Sequence, residues 1–157
     1  MAHVQIDGSG KVIGIFGLPQ HGNAGVTEIP DNDPRIAAFL APPSASASAI
    51  LAQKIAAGIA ITSTGTPALN ATYALDPTTM EQIGSVARDN AASLGLPGGL
   101  PTFVYPDASG TPHTFTGSQI DAVYRAMRDL IFVLTTQAGV MAHGGSPVWP
   151  SQTAVIA

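Results

Sequence analysis

Cysteine is absent from the 157 residues, which excludes disulfides, thiolate metal sites and cysteine nucleophiles and leaves the redox compartment open. Charge is nearly as scarce: Asp, Glu, Lys and Arg make up 10% of the chain, against about 25% in an ordinary globular domain. The six Lys and Arg residues are scattered along the sequence, so there is no electrostatic footprint for nucleic acid. Glu28 and Glu81 are the only glutamates. With so few ionisable groups, acid–base catalysis is poorly supplied. The sequence reads as that of a non-enzyme, with no catalytic residue, metal site or cofactor expected.

Long apolar runs are missing too. Ala47 to Ile61 is the most membrane-like stretch, but it is too short to span a bilayer and contains Gln53 and Lys54. The N-terminus lacks the basic region and apolar core of a secretory signal, so a protein outside the Sec route is expected, with no membrane partner. A net charge of −4 with a mean hydropathy of +0.27 is a poor solubility recipe for a free monomer. Some apolar surface is therefore expected to be covered by another chain, most simply by a sister copy.

What remains patterns as α+β. His3 to Ile6 and Lys11 to Phe16 flank Asp7-Gly8-Ser9-Gly10, a hairpin turn, and Val26 to Ile29 reads as a third strand. Asp33 and Pro34 start a short helix as N-cap and first helical residue. Residues 1–41 form an N-terminal β-rich lobe, and the Pro/Ala/Ser run 42–48 is a linker. An α+β hairpin-and-helix domain, its helices on a small antiparallel sheet, covers 49–138. It opens with a helix over Ala49 to Ala57 that stops at Gly58. Residues 139–157 form a Gly/Pro-rich arm, either a docked strand or disordered.

Within 49–138 one order occurs twice. Ile59–Thr64 and Ala68–Leu75 form a hairpin, followed by a helix that Asp76 caps and Gly95 closes. Thr102–Tyr105 and Pro112–Phe115 form a second hairpin around Asp107-Ala108-Ser109-Gly110. The helix after it carries a capping box, Thr116 with Gln119, and the stripe Ile120, Val123, Tyr124, Met127, Leu130, Ile131, Leu134. The shared fragments Thr64-Gly65-Thr66-Pro67 and Ser109-Gly110-Thr111-Pro112 raise the expectation of a duplicated unit.

Chemical motifs fail one by one. Gly8-Ser9-Gly10-Lys11 suggests a phosphate loop, but Gln5 and Val12 occupy the positions of its first glycine and its Ser/Thr. Asp31-Asn32-Asp33 would need Gly and Glu where Ile36 and Pro42 stand to be a calcium loop. The four histidines share no ligand spacing. Asp121, Arg125, Arg128 and Asp129 read as a solvated helix face with local ion pairs, and Asn70-Ala71-Thr72 as an incidental glycosylation match. Candidate partner-binding residues are Phe103, Tyr105 and Phe115, at matching parity on the second hairpin, and Trp149 in the arm. Trp149 is either a clasp onto the protein's own body or an anchor into a partner.

Two stretches resemble known proteins. Ala57-Gly58-Ile59-Ala60-Ile61-Thr62-Ser63-Thr64-Gly65-Thr66-Pro67-Ala68-Leu69-Asn70-Ala71-Thr72-Tyr73-Ala74-Leu75-Asp76, with the later Leu94-Gly95-Leu96-Pro97-Gly98-Gly99 and Phe103-Val104-Tyr105-Pro106-Asp107, is similar to an uncharacterised domain family of phage and prophage tail-region proteins. Gly10-Lys11-Val12-Ile13-Gly14-Ile15-Phe16, His21-Gly22 and Val26-Thr27-Glu28-Ile29-Pro30-Asp31 resemble the opening of phage tail-fibre assembly proteins. The resemblance implies a tail-associated protein, in the virion tail or in the host cytoplasm during assembly, whose partners are other tail or tail-fibre proteins. It carries over no catalytic residue. The rivals are a carbohydrate-binding module at a fibre tip, with Tyr105, Phe115 or Trp149 as an exposed platform, and a polysaccharide hydrolase using Glu28, Glu81 and Asp107.

Overall fold

The computed structural model describes residues 1–18, 26–41 and 45–157. Residues 19–25, which include His21 and Gly22, and linker residues 42–44 fall outside these. The protein is α+β, and its contacts divide it between Ser44 and Ala45 into two units.

In the first unit, β1 (Ala2–Ile6) is central to an antiparallel sheet with β2 (Val12–Phe16) and β3 (Val26–Ile29) as its edges. The β1–β2 turn is built by one carboxylate. Asp7 Oδ1 accepts from Ser9 N, Ser9 Oγ and Lys11 N at 2.9, 2.6 and 3.1 Å. Helix α1 (Pro34–Leu40) starts where Asp33 accepts from Arg35 N, and the Arg35 guanidinium holds the Asp33 carboxyl down to about 2. Val4, Val12, Ile29 and Ile36 form the small core of this unit.

In the second unit, α2 (Ala47–Ala57) begins two residues before the expected start, because the Ser46 hydroxyl accepts from Ala49 N and caps it. Gly58 then turns the chain directly into β4 (Ile59–Ser63). A 3₁₀ turn over Pro67–Leu69 interrupts the expected hairpin before β5 (Ala71–Tyr73), which pairs antiparallel with β4. Helix α3 (Pro77–Ala91) is capped by Asp76, which accepts from Thr78 N and Thr79 N. It ends earlier than expected, before Ser93 takes a left-handed turn at φ 62°.

Strands β6 (Phe103–Pro106) and β7 (Pro112–Phe115) pair antiparallel with Phe103 opposite Phe115 and Tyr105 opposite His113. The parity that places the aromatics together is thus seen in the register. Helix α4 (Gly117–Ala142) carries both halves of the capping box and buries Ile120, Val123, Met127, Leu130, Leu134 and Ala138. These join Ile59, Ile61, Leu69, Tyr73, Ile83 and Phe115 in one core.

Two expectations are corrected here. Helix α4 continues past residue 138, because Gly139 sits in an exposed turn where a missing side chain costs only about 1 kcal/mol. Of the two readings of the end of the chain, the docked strand is the one seen: β8 (Thr153–Ile156) pairs in parallel with β4, Ala60 opposite Thr153 and Ser63 opposite Ile156. The sheet β5-β4-β8 is therefore mixed rather than antiparallel. Gln152 locks this end down, its Nε2 donating to the carbonyls of Lys54 and Gly58 at 2.7 and 2.6 Å. The Lys54 carbonyl lies in the last turn of α2, where it lacks a partner within the helix, and the Gly58 carbonyl lies just beyond it.

Candidate functional site

The proposed repeat gives hairpin-then-helix twice, and its two helices, α3 and α4, pack together. Gly84 lets them approach: a Cβ there would lie 2.8 Å from Tyr124 Cε2 and 3.3 Å from Arg88 Nη1. Beside this contact lies a cleft of about 190 Å³ lined by Ala87, Arg88, Ala91, Asp121, Tyr124, Arg125 and Arg128. Half of the chain's six cationic side chains thus meet at one place.

Their pairing differs from the solvated face of local ion pairs expected for α4. Only Arg128 has a carboxylate, Asp129, at 2.8 Å. Asp121 instead accepts from Asn90 Nδ2 of α3 at 2.9 Å through Oδ2. Its Oδ1 is shut off from solvent without a hydrogen-bond partner. Arg88 was not part of the expected group. Periodicity along one helix does not reveal which residue of another helix it will face.

The second polar constellation lies where the two hairpins meet. Asp107 builds its turn as Asp7 does, Oδ1 accepting from Ser109 N, Ser109 Oγ and Thr111 N at 2.8, 2.7 and 2.9 Å. Its Oδ2 faces His113 Nε2 at 3.0 Å, while His113 Nδ1 faces the Ala68 carbonyl at 2.6 Å. Both ring nitrogens thus meet acceptors, and only the doubly protonated imidazolium donates to both. The Asp107 hydrogen bond accordingly raises the His113 pKa. The Ser109 hydroxyl, then His113, hold Asp107 well below the usual carboxylate range. Burial, with the Asp107 charge behind it, pushes the Tyr73 phenol up to about 12.

This arrangement is a tie between hairpins, reinforced by Ala108 N donating to the Thr72 carbonyl at 2.8 Å. An Asp107 carboxylate with both oxygens engaged and its pKa depressed is the opposite of a general acid. Glu81 is exposed on α3, and Glu28 belongs to the other unit. Among the described residues no three metal-ligating side chains converge.

The tie has a signed pH dependence. A depressed Asp107 contributes stability above its ordinary 3.8 and loses it as pH falls through the folded value. A raised His113 contributes fully below its ordinary 6.5 and loses it as pH rises through the folded value. The tie is strongest between those two pH values. Trp149, the one tryptophan, lies in the second unit and reports on it. Its fluorescence in urea should show stability falling as pH rises above 6.5, a slope that His113→Gln flattens. Parallel curves for the two proteins would refute the tie.

The aromatic candidates divide. Phe115 is buried and touches Tyr73 edge-on at 5.8 Å, so it offers no surface to a partner or a sugar. Phe103 and Tyr105 are half-buried and stacked at 5.9 Å, with the Tyr105 hydroxyl donating to Gln82 Oε1 at 2.9 Å. Trp149 packs half-buried onto the core, as the clasp. The Asn70 side-chain Oδ1 accepts from Ser63 N at 2.7 Å, a loop-closing role that its sequence context does not signal.

Sequence reasoning also missed an apolar surface. Phe132 is 72% exposed, and Val133 and Val140 are exposed on the same half of α4, with Val148 and Val155 exposed beyond it. No Asp, Glu, Lys or Arg follows Asp129 in the sequence, so the rest of α4 and β8 place no such side chain beside these exposed residues. Among the described residues no helix is long and apolar enough to cross a membrane.

Neither a protein-family model, nor a curated protein, nor a solved structure matches the chain.

Proposed function

We propose that this is a non-enzymatic phage or prophage tail-associated protein that works by protein–protein contact, as a minor tail or tail-fibre component or as a fibre assembly factor. The observation that carries the contact reading is the uncharged apolar ridge of α4 around Phe132. Exposed apolar side chains on one helix face, without charges among them, favour burial against a protein surface. The tail assignment rests on the two sequence resemblances.

The occupant of the ridge in this reading is a second copy of the chain. Two identical uncharged faces meet without like-charge repulsion, as a two-fold interface requires. Light scattering should give a dimer or larger species that Phe132→Asp dissociates. A monomer at all concentrations would remove the self-association. Mass spectrometry of purified tailed particles that encode the chain tests the tail role. Stoichiometric presence makes it a virion component, and co-purification with fibre subunits from lysate makes it an assembly factor. Absence from both overturns the assignment.

A further inference from the structure

Independently of that reading, we propose that the cleft between α3 and α4 binds a small monocarboxylate bearing hydroxyl groups, the chemistry of a uronic acid, with Arg88 and Arg125 as the carboxylate ligands. Neither arginine makes a side-chain hydrogen bond or an ion pair among the described residues, although each lines the cleft. Folding therefore leaves two guanidinium forks unused at one place, on a chain that has only six cationic side chains in all. A guanidinium matches a planar carboxylate through two parallel hydrogen bonds.

The charge balance selects the ligand. Arg128 is taken by Asp129, and the Asp121 carboxylate offsets one of the two remaining cations. The lining keeps a single positive excess, which suits a monoanion better than a phosphate dianion. The Asp121 Oδ1 orphan is the second indication. A buried acceptor without a donor is costly, and a ligand hydroxyl drawn in beside the arginines would supply one after a small shift of the side chain. Ala87, Ala91 and Tyr124 add an apolar wall of the kind a sugar ring packs against. At about 190 Å³ the space is below the roughly 300–1,000 Å³ of drug-sized sites, and it suits one monosaccharide unit.

The test is an amide-resolved NMR titration of the full chain with sodium glucuronate, and with glucose and inorganic phosphate as comparisons. Glucuronate should move the resonances of residues 84–91 and 121–128 and saturate. Glucose should leave them in place, and phosphate should bind more weakly than glucuronate. Arg88→Gln and Arg125→Gln should each weaken glucuronate binding about tenfold or more, the loss of a charge-assisted pair. Both side chains are exposed, so their unfolding midpoints should match the parent. The proposal is overturned by an unmoved spectrum, by glucose binding equally, by phosphate binding as tightly, or by folded variants that keep full affinity. None of these outcomes bears on whether the chain is tail-associated.

Discussion

Gly58→Ala is expected to destabilise the second unit by about 2–4 kcal/mol, a large share of the total for a domain of this size. The residue joins α2 to β4 with nothing between them. It does so at φ 73° and ψ −165°, a region that only glycine occupies without strain. Space is lacking as well. An added Cβ would sit 2.6 Å from the Tyr73 carbonyl oxygen and 3.0 Å from Thr72 Cγ2, and the first of these is backbone on the paired strand. Relief requires moving β5 away from β4. Gly139→Ala is the counterpart in the same unit. It lies in a helix with no atom near the added methyl and should stabilise by about 0.5–1 kcal/mol. Urea unfolding followed at Trp149 measures both, and an unchanged Gly58→Ala midpoint would mean that the α2–β4 corner is formed differently.

The second large effect is at the other end of the same sheet. Ile156 is 5% exposed on β8, and its neighbour Val155 is 71% exposed. Strand parity thus separates two apolar residues that composition treats alike. Ile156→Asp should cost about 3 kcal/mol or more, because an unpaired carboxylate would replace an aliphatic group in the core. Val155→Asp should stay within about 0.5 kcal/mol. Release of β8 should also shift Trp149 emission to the red, since the indole packs on the core just before that strand. Equal effects at the two positions would show that the strand is not docked in solution.

The sequence made local structure readable wherever one residue's chemistry decides it. Asp7 in a Gly/Ser turn, Asp33 and Asp76 before prolines, and Thr116 three residues before Gln119 each satisfy nearby backbone donors. No distant part of the chain has to be known to see that. The α+β class and the pairing of Phe103 with Phe115 follow from the same local signals. What stayed hidden was non-local. A parallel partner for β4 at residues 153–156 has no turn to announce it, and a short apolar tail looks the same free or docked. The candidate cleft was half legible. Asp121, Arg125 and Arg128 were visible as one face of α4, but Arg88 joins them only through helix packing that Gly84 permits. His113 was one of four scattered histidines until the fold placed Ala68 and Asp107 at its two nitrogens.

The parallel β4–β8 pair also sets a timetable for synthesis. Thr64 and the Ile156 carbonyl that its N–H binds are 92 residues apart. At bacterial-to-eukaryotic elongation rates of about 5–20 residues per second, the ribosome needs on the order of ten seconds to cover that distance. For that interval the nascent chain holds Ile59 and Ile61 on a strand with one bare edge. Pairing with β5 is available early, but closure is not.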